Sequence, residues 1–193
     1  MAARPDLLRP PGFSSIDWRS PLAEDEFAEY RDAAFLERVG LPHLVEALAA
    51  FWPSRGPQWD GLGLSGGIVV LAEAKAHAGE LASTCAAGPE SRRRIAAALA
   101  ETRDALGAAS GADWTAGFYQ YANRLAHLRF LRARGVDARL LLIGFLNDAE
   151  MRGPSTPDAW AAAYGAADAA LGLPPRHALS DAIHHVHPDV TDL

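Results

Sequence analysis

Residues 58 to 77 read QWDGLGLSGGIVVLAEAKAH and contain the clearest structural signal in the chain. The adjacent pair Gly66-Gly67, with apolar residues on both sides, is typical of a two-residue hairpin turn. Opposite residues in an antiparallel hairpin follow from counting outward from the turn. The predicted pairs are Leu64 with Val69, Leu62 with Leu71 and Asp60 with Glu73.

The predicted hairpin brings three charged side chains together. Asp60 and Glu73 face each other, and Lys75 lies beside Glu73 because side chains two apart share one face of a strand. Two carboxylates about 5 Å apart repel by roughly 3 kcal/mol at an effective dielectric constant of about 20. A divalent cation such as Mg²⁺ or Mn²⁺ converts that repulsion into a binding site. Lys75 would then orient a water or stabilise developing negative charge.

This geometry requires a strand in the second half of the segment. Residues 68 to 72 are apolar on both faces, which favours a central strand that is covered on both sides. Charged Glu73 and Lys75 at the end of such a strand are costly unless they pair or bind something. The alternative is a helix over Leu71 to Leu81, because that segment is rich in Ala, Glu, Leu and Lys.

The pattern of Asp60, a short gap and then Glu73-Ala74-Lys75 at the end of an apolar strand resembles the PD-(D/E)XK, restriction-endonuclease-like, nuclease superfamily. The resemblance covers roughly residues 41 to 148, a nuclease-like core. It implies an α/β, three-layer fold with a central mixed sheet and helices on both faces, in the order αβββαβ. It also implies that Asp60 and Glu73 ligate Mg²⁺ or Mn²⁺, that the Ala74 carbonyl adds a ligand and that Lys75 is the catalytic lysine. The residue before Asp60 is Trp59, where the motif has proline.

Helices on either side of the hairpin offer further site residues. By the resemblance, Glu46 on the preceding helix is an additional metal-ligating acid; the alternative is a solvated helix-face glutamate. On the helix after the lysine strand, Gln120 would act in catalysis and Arg124 would contact substrate, with Asn123 and His127 next to them. These four residues have the spacing i, i+3, i+4 and i+7, which places them on one polar stripe between apolar residues. An ordinary polar face is the alternative.

Composition also distinguishes Lys75. It is the only lysine among 18 basic residues, and all the others are arginine. A generic surface cation would be arginine in such a chain, so a compact ammonium group or a tunable pKa is indicated at this position. Chance retention of one lysine is the alternative.

Length and composition restrict the class of protein. The chain has 193 residues, about half of them apolar, which predicts a single domain with a substantial core. Cys85 is the only cysteine, so no internal disulfide is expected. The absence of a signal peptide and of a long apolar run predicts a cytoplasmic protein without a membrane partner.

The charge distribution bears on a nucleic-acid partner. The net charge is −6, which is unfavourable for binding DNA if the charge is spread evenly. Residues 1 to 50 hold nine acids against five arginines, whereas residues 119 to 139 hold five arginines against one acid. We therefore expect a basic, DNA-contacting surface downstream of the candidate site. The oligomeric state is open, with a homodimer as one option.

The remaining pattern predicts the elements around the hairpin. Residues 1 to 22 hold four prolines without periodicity and are expected to form an irregular arm, and residues 172 to 193 a C-terminal tail. The family's fold also has a third antiparallel strand, and the only segment of the sequence that could form it lies near Cys85. Helices are predicted over residues 24–39, 42–52, 88–106, 114–134 (the longest) and 156–171, and a second apolar strand over 137–146.

Three other motifs lack the context that they require. The glycines at 61, 63 and 66 spell G-x-G-x-x-G, a dinucleotide-binding pattern that has to follow a strand and open a helix. Residues 63 to 67 spell G-x-S-x-G around Ser65, the serine-hydrolase elbow, which also requires a strand and then a helix. A cluster that would suit a metal lies in the tail: His184, His185, His187 and Asp189.

The sequence therefore predicts a Mg²⁺- or Mn²⁺-dependent nuclease that hydrolyses phosphodiester bonds in DNA or a related nucleic acid. One alternative is a catalytically silent binding or interaction protein of the same fold, in which the acids form a structural ion pair with Lys75. The other alternative is a serine hydrolase that acts through Ser65.

Overall fold

A five-stranded mixed sheet forms the centre of the computed structural model, which describes residues 4 to 192. The strands lie in the sheet in chain order: β1 (Asp17–Ser20), β2 (Gly61–Ser65), β3 (Ile68–Lys75), β4 (Ala138–Gly144) and β5 (Ile183–Val186). The first three are antiparallel neighbours, whereas β3, β4 and β5 run parallel. The central strand is thus β3, which carries Glu73 and Lys75 at its carboxyl end.

The predicted hairpin is confirmed, including its register. Gly66 and Gly67 form the turn with φ of +55° and +89°, a conformation that glycine adopts without steric cost. The pairing partners of β2 and β3 are those predicted, with Leu62 opposite Leu71. Residues 71 to 75 are therefore a strand, and the helix alternative for this segment is wrong.

Five α-helices are found in residues 4 to 192: α1 (Asp32–Arg38), α2 (Val45–Phe51), α3 (Pro89–Ala105), α4 (Tyr119–Arg132) and α5 (Pro157–Ala170). Local signals account for the ends of α3 and α5. Proline occupies the first position of each, and Gly107 ends α3 with a φ of +68°. The Thr156 hydroxyl caps α5 by accepting from the Ala159 N–H. None of these helices is long and apolar enough to cross a membrane.

Two predicted helices are shorter than expected. The helix predicted over residues 24 to 39 begins only at Asp32, because Glu26 and Phe27 adopt left-handed conformations with φ of +58° and +59°. The helix predicted from residue 114 begins at Tyr119, after a turn in which Asp113 accepts from the Thr115 N–H at 2.9 Å. As a result α4 has 14 residues, and α3, with 17, is longer.

Both ends of the chain contribute strands that the sequence did not predict. The expected irregular arm, residues 1 to 22, contains β1, and the expected tail, residues 172 to 193, contains β5. The third antiparallel strand is therefore β1, and Cys85 lies in a loop. Four-residue strands such as DWRS and IHHV carry little periodic signal, because their conformation depends on pairing with β2 and β4.

The two faces of the sheet are covered differently. On one face, Leu71 and Leu142 belong to the larger core, to which all five α-helices contribute buried side chains. On the other face, Val70 and its neighbours pack against Leu8 and other residues of the N-terminal segment. The predicted α/β class with a central mixed sheet is confirmed. Among the described residues, the helix expected on the second face is represented only by the short 3-10 helix Pro5–Leu8.

Gly144, at the end of β4, allows a close approach of Trp160 from α5. A Cβ at position 144 would lie 2.6 Å from the indole ring, so we expect Gly144→Ala to destabilise the protein by about 1 to 3 kcal/mol. Urea unfolding measures this change. Gly165→Ala is the matched control, because a Cβ there meets nothing within 4 Å and alanine is favoured in a helix by about 1 kcal/mol. Equal stability of the two variants would contradict this packing.

Candidate functional site

Glu73 and Lys75 form a buried ion pair at the carboxyl end of β3. They alternate with Ala72 and Ala74 along the strand, so both side chains point toward the larger core. Their side chains are only 4 % and 8 % exposed. Lys75 Nζ donates to Glu73 Oε1 and, at 3.1 Å, to the Ala74 carbonyl oxygen. The only lysine of the chain is therefore not a surface cation.

Arg124 of α4 is the second cation that binds Glu73. Its Nε and Nη2 both lie 2.6 Å from Glu73 Oε2. Nη2 also donates to the Gln58 carbonyl oxygen at 2.8 Å, and Nη1 donates to Asn123 Oδ1 at 2.9 Å. The guanidinium lies over the Trp59 ring, 4.8 Å from its centroid. Every nitrogen of the Arg124 guanidinium thus has a partner, and the side chain joins α4 to the hairpin.

Asp60 approaches Glu73 from the neighbouring strand. It directly precedes β2, and the observed register continued by one pair places it opposite Glu73. Its Oδ2 accepts from the Ala74 N–H at 2.7 Å, so the carboxylate takes the place of a backbone partner. Burial, followed by the negative charge of Glu73, raises the pKa of Asp60 to about 6. The register therefore places these two acids opposite each other, as the hairpin predicts.

Two spaces adjoin this cluster. The first is a cavity of about 10 Å³ lined by Glu73, Lys75, Arg124, Gln120 and Tyr164, among others. That volume suits about one water molecule. The second is an open cleft of about 420 Å³, which we call the Asp60 cleft; it is lined by Glu29, Arg55, Gly56, Pro57, Gln58, Asp60, Tyr119, Gln120, Asn123 and Arg124. Gln120 and Arg124 line both spaces, so the enclosed cluster and the cleft adjoin at these residues.

The polar stripe predicted on α4 divides between the cleft and the core. Gln120 and Asn123 line the Asp60 cleft, as expected of substrate-facing residues. His127 is 1 % exposed and packs edge-on against Trp52, with its Nδ1 2.9 Å from the Asn123 carbonyl oxygen. Burial, with a smaller effect of the Arg124 charge, lowers the pKa of His127 to about 3. This histidine is thus a neutral core residue, and the placement does not support its predicted substrate contact.

Glu46 lies apart from the other predicted site residues. It is exposed on α2 and lines neither the cavity nor the Asp60 cleft. This is the position of a solvated helix-face glutamate. The placement therefore does not support its predicted role as a metal ligand.

The donor atoms at the site suit a hard divalent cation. The carboxylates of Asp60 and Glu73 and the Ala74 carbonyl are oxygen ligands of the kind that Mg²⁺ prefers. No group of three or more His, Cys, Asp or Glu side chains that could hold a metal is found within residues 4 to 192, so an ion here would rely on two carboxylates, a carbonyl and water. Both Glu73 oxygens already accept hydrogen bonds, whereas Asp60 Oδ1 accepts none from the described residues. For a cation to bind these oxygens, Lys75 would have to release Glu73 Oε1 and the Ala74 carbonyl oxygen.

Of the five arginines in residues 119 to 139, Arg124 lines the Asp60 cleft, and the other four do not. Arg139 is opposite Val70 in the sheet, near the start of β3, whereas the site lies at the end of that strand. Four of these five arginines pair with acids: Arg124 with Glu73, Arg129 with Glu101, and Arg132 and Arg139 with Asp137. Local acids therefore offset much of this positive charge. The basic residues lining the Asp60 cleft are Arg124 and Arg55.

The other sequence motifs lack the required geometry. Ser65 ends β2 and is followed by the turn and β3 instead of a helix, so neither the serine-hydrolase elbow nor the dinucleotide pattern has its context. The Ser65 hydroxyl is buried and lies 2.8 Å from Ser14 Oγ. The C-terminal histidines have separate contacts: His185 packs on Tyr164, and His187 Nδ1 lies 3.3 Å from the Gly144 carbonyl oxygen.

Several site residues were not predicted from the sequence. Trp59 and Gln58 precede Asp60 directly, and their position beside the motif is a signal that could have identified them. Tyr119 lines the cleft, and burial, followed by the effect of Cys85, raises its pKa to about 12, so its phenol stays protonated. Tyr164 reaches the cavity from α5. No local pattern marks Tyr164, because its contact with the site depends on packing between distant segments.

Comparisons with known proteins identify no relative: no family model, no curated protein and no solved structure matches the chain. A functional inference therefore depends on the chemistry and geometry of the site.

We expect Glu73→Gln to destabilise the protein by about 3 to 5 kcal/mol, because the buried cations Lys75 and Arg124 lose the carboxylate that both of them contact. Urea unfolding at neutral pH measures the change. Glu101→Gln is the control, since it removes an ion pair with Arg129 in which the glutamate side chain is 62 % exposed. The control should change stability by less than about 1 kcal/mol. A similarly small effect of Glu73→Gln would mean that the buried pairs do not stabilise the fold.

Asp60→Asn removes the ionisable group and keeps an oxygen that can accept from the Ala74 N–H. Because folding raises the pKa of Asp60 from 3.8 to about 6, the native state binds more protons than the unfolded state between these values. The contribution of Asp60 to wild-type stability should therefore fall as the pH rises from about 4 to 6, by about 3 kcal/mol in total.

Relative to wild type, Asp60→Asn should accordingly be more stable at pH values well above 6, and the difference should shrink as the pH falls toward 4. Urea unfolding with a chelator present, at a series of pH values, measures the difference. A difference that does not vary with pH would contradict the raised pKa.

Proposed function

We propose that the chain is a Mg²⁺- or Mn²⁺-dependent nuclease of the PD-(D/E)XK, restriction-endonuclease-like type, which hydrolyses phosphodiester bonds in DNA or a related nucleic acid. The observation that carries this proposal is the position of Asp60 opposite Glu73-Ala74-Lys75, at the end of a central strand. The hairpin, the following helices and the parallel strand β4 also support it, because these parts occur in the family's order. The third antiparallel strand departs from that order, since β1 precedes the helices.

In the proposed reaction, Asp60, Glu73 and the Ala74 carbonyl would hold the divalent ion. When bound, such an ion polarises the scissile phosphate and lowers the pKa of a water. Lys75 adjoins a cavity with room for about one water, so its ammonium group can orient the attacking water or donate to a phosphate oxygen. Gln120 and Arg124 line both the cavity and the cleft, and they would hold the phosphate from the side of α4.

The charges of the cluster are consistent with a resting state of such an enzyme. Two carboxylates and two cations, Lys75 and Arg124, balance one another, and Lys75 occupies the acceptors that a metal would use. The raised pKa of Asp60 indicates that its negative charge is not fully compensated. An added positive charge near Asp60 would therefore be favourable, and it would free Lys75 to act on water or phosphate.

One observation favours a second candidate, a catalytically silent binding protein of the same fold. Both oxygens of Glu73 are engaged by Lys75 and Arg124 in a buried network, which is also the arrangement of a purely structural ion pair. In that case the Asp60 cleft would hold a ligand without hydrolysing it. Nicking assays distinguish the two candidates.

We expect the purified protein to nick supercoiled plasmid with Mg²⁺ or Mn²⁺ and not with EDTA. Lys75→Ala should lower the rate about 100-fold, as loss of one group that stabilises charge in the transition state typically does. Thermal unfolding checks that the variant is folded, because the substitution also removes a partner of Glu73. Ser65→Ala and Glu46→Ala are the controls, and both should retain activity.

Three results would change the assignment. Nicking that persists in EDTA, or that Ser65→Ala abolishes and Lys75→Ala does not, would contradict the nuclease proposal. A folded wild-type protein that nicks under no condition would favour the binding protein.

A further inference from the structure

The loop from Ser54 to Gly56 borders the Asp60 cleft, and a carboxylate from another element fixes its backbone. Asp32, at the start of α1, accepts from the Arg55 N–H through Oδ2 and from the Gly56 N–H through Oδ1, both at 2.9 Å. Hydrogen bonds to an ionised carboxylate are stronger than neutral ones. Both oxygens of Asp32 therefore serve to hold this loop.

The loop also lies close against the core. A Cβ at Gly56 would lie 3.0 Å from Asp32 Oδ1, 3.4 Å from the Trp52 ring and 3.5 Å from His127 Nε2. The buried His127 thus lies between this loop and the core, although it does not line the cleft. There is therefore little room for the loop backbone to move toward the core.

Arg55 and Asp32 both adopt left-handed backbone conformations, with φ of +65° and +53°. For a residue with a Cβ this conformation costs about 1 kcal/mol or more. Glycine would relieve the strain at position 55, but the chain has arginine there. Such a conformation persists where the surrounding structure holds it, as the hydrogen bonds to Asp32 do here.

Arg55 differs from the other charged residues of the cleft, which have partners. Arg124 binds Glu73, Glu29 accepts from Gln58 Nε2 at 3.1 Å, and Asp60 accepts from Ala74. The exposed Arg55 forms no ion pair with any residue in the range 4 to 192, and its only hydrogen bond there is through its backbone N–H. Its guanidinium thus has no carboxylate of the described residues within ion-pairing distance, although Glu29 and Asp60 line the same cleft.

We propose that Arg55, positioned by Asp32, is a phosphate anchor that binds the backbone of a nucleic-acid strand in the Asp60 cleft and does so without a metal ion. The planar guanidinium offers paired donors that match two phosphate oxygens. Arg55 lines the same cleft as Asp60, Gln120 and Arg124. A phosphate bound to Arg55 would therefore lie in the cleft that those three residues also line. This inference deepens the proposed nuclease function, since it takes nucleic acid as the ligand.

The test is fluorescence anisotropy with a short, labelled, single-stranded DNA oligonucleotide in EDTA, titrated at several salt concentrations. Arg55→Ala should weaken binding about tenfold, the loss expected for one hydrogen-bonded charged contact. It should also reduce the slope of log K against log salt by about 0.7, the value for one phosphate contact on a single strand. Arg55→Lys should retain the slope, because the charge is kept, with weaker binding.

Two further variants separate anchoring from general effects. Arg176→Ala removes an arginine that pairs with Asp181 and has a side chain 79 % exposed, and it should leave both affinity and slope unchanged. Asp32→Asn keeps Arg55 but loosens its loop, so affinity should fall while the slope stays at the wild-type value. Thermal unfolding of each variant shows whether the fold is retained.

The outcomes distinguish this inference from the nuclease proposal. An Arg55→Ala variant with wild-type affinity and slope overturns the anchor, even if the wild-type protein nicks plasmid. Failure of the wild-type protein to bind the oligonucleotide in EDTA also overturns it. Loss of binding in Arg55→Ala, with no nicking by wild type under any condition, supports the anchor and favours a binding protein over a nuclease.

Discussion

The burial of Glu73 with Lys75 and Arg124 is the constraint on which the rest of the structure depends. An isolated charge in the interior costs several kcal/mol, so each of these groups has to lie beside a partner of opposite charge. Lys75 lies two residues from Glu73 on the same strand, whereas Arg124 lies on a helix and is 51 residues away in the sequence. The position of α4 over β3 is therefore tied to this one carboxylate. Trp59 and the Gln58 carbonyl then complete the surroundings of Arg124.

This arrangement separates the acids into two environments. Glu73 is enclosed and its charge is neutralised by two cations, whereas Asp60 lines an open cleft and has a raised pKa. A divalent ion would have to enter from the side of Asp60 and compete with Lys75 for the shared acceptors. In the proposed reaction, hydrolysis would therefore depend on how readily Lys75 leaves Glu73. The Asp32-held loop carrying Arg55 lies on the same cleft and does not depend on that exchange.

Predictions that depended on neighbouring residues were generally confirmed. The glycine turn set the register of the hairpin, and proline, glycine and threonine signals located α3 and α5.

Predictions about long-range placement were less successful. The strands β1 and β5 were missed because four-residue segments acquire their conformation from their partners. His127 and Arg124 belong to the same predicted stripe, yet α4 is buried on nearly all sides, so the stripe faces both a core and a cleft. The arginines from 124 to 139 were expected to bind DNA, but acids such as Glu73, Glu101 and Asp137 lie beside them.

The sequence by itself determined the hairpin, the strand that carries Glu73 and Lys75, and the pairing of that strand with Asp60. These features follow from turn geometry and from the two-residue period of a strand, which act over a few residues. Only the tertiary structure decided that Arg124 is the second partner of Glu73, that Glu46 and His127 lie outside the cleft, and that Arg55 lines it. Those placements depend on how helices pack on one face of the sheet, and the energy of a buried charge depends on every group around it.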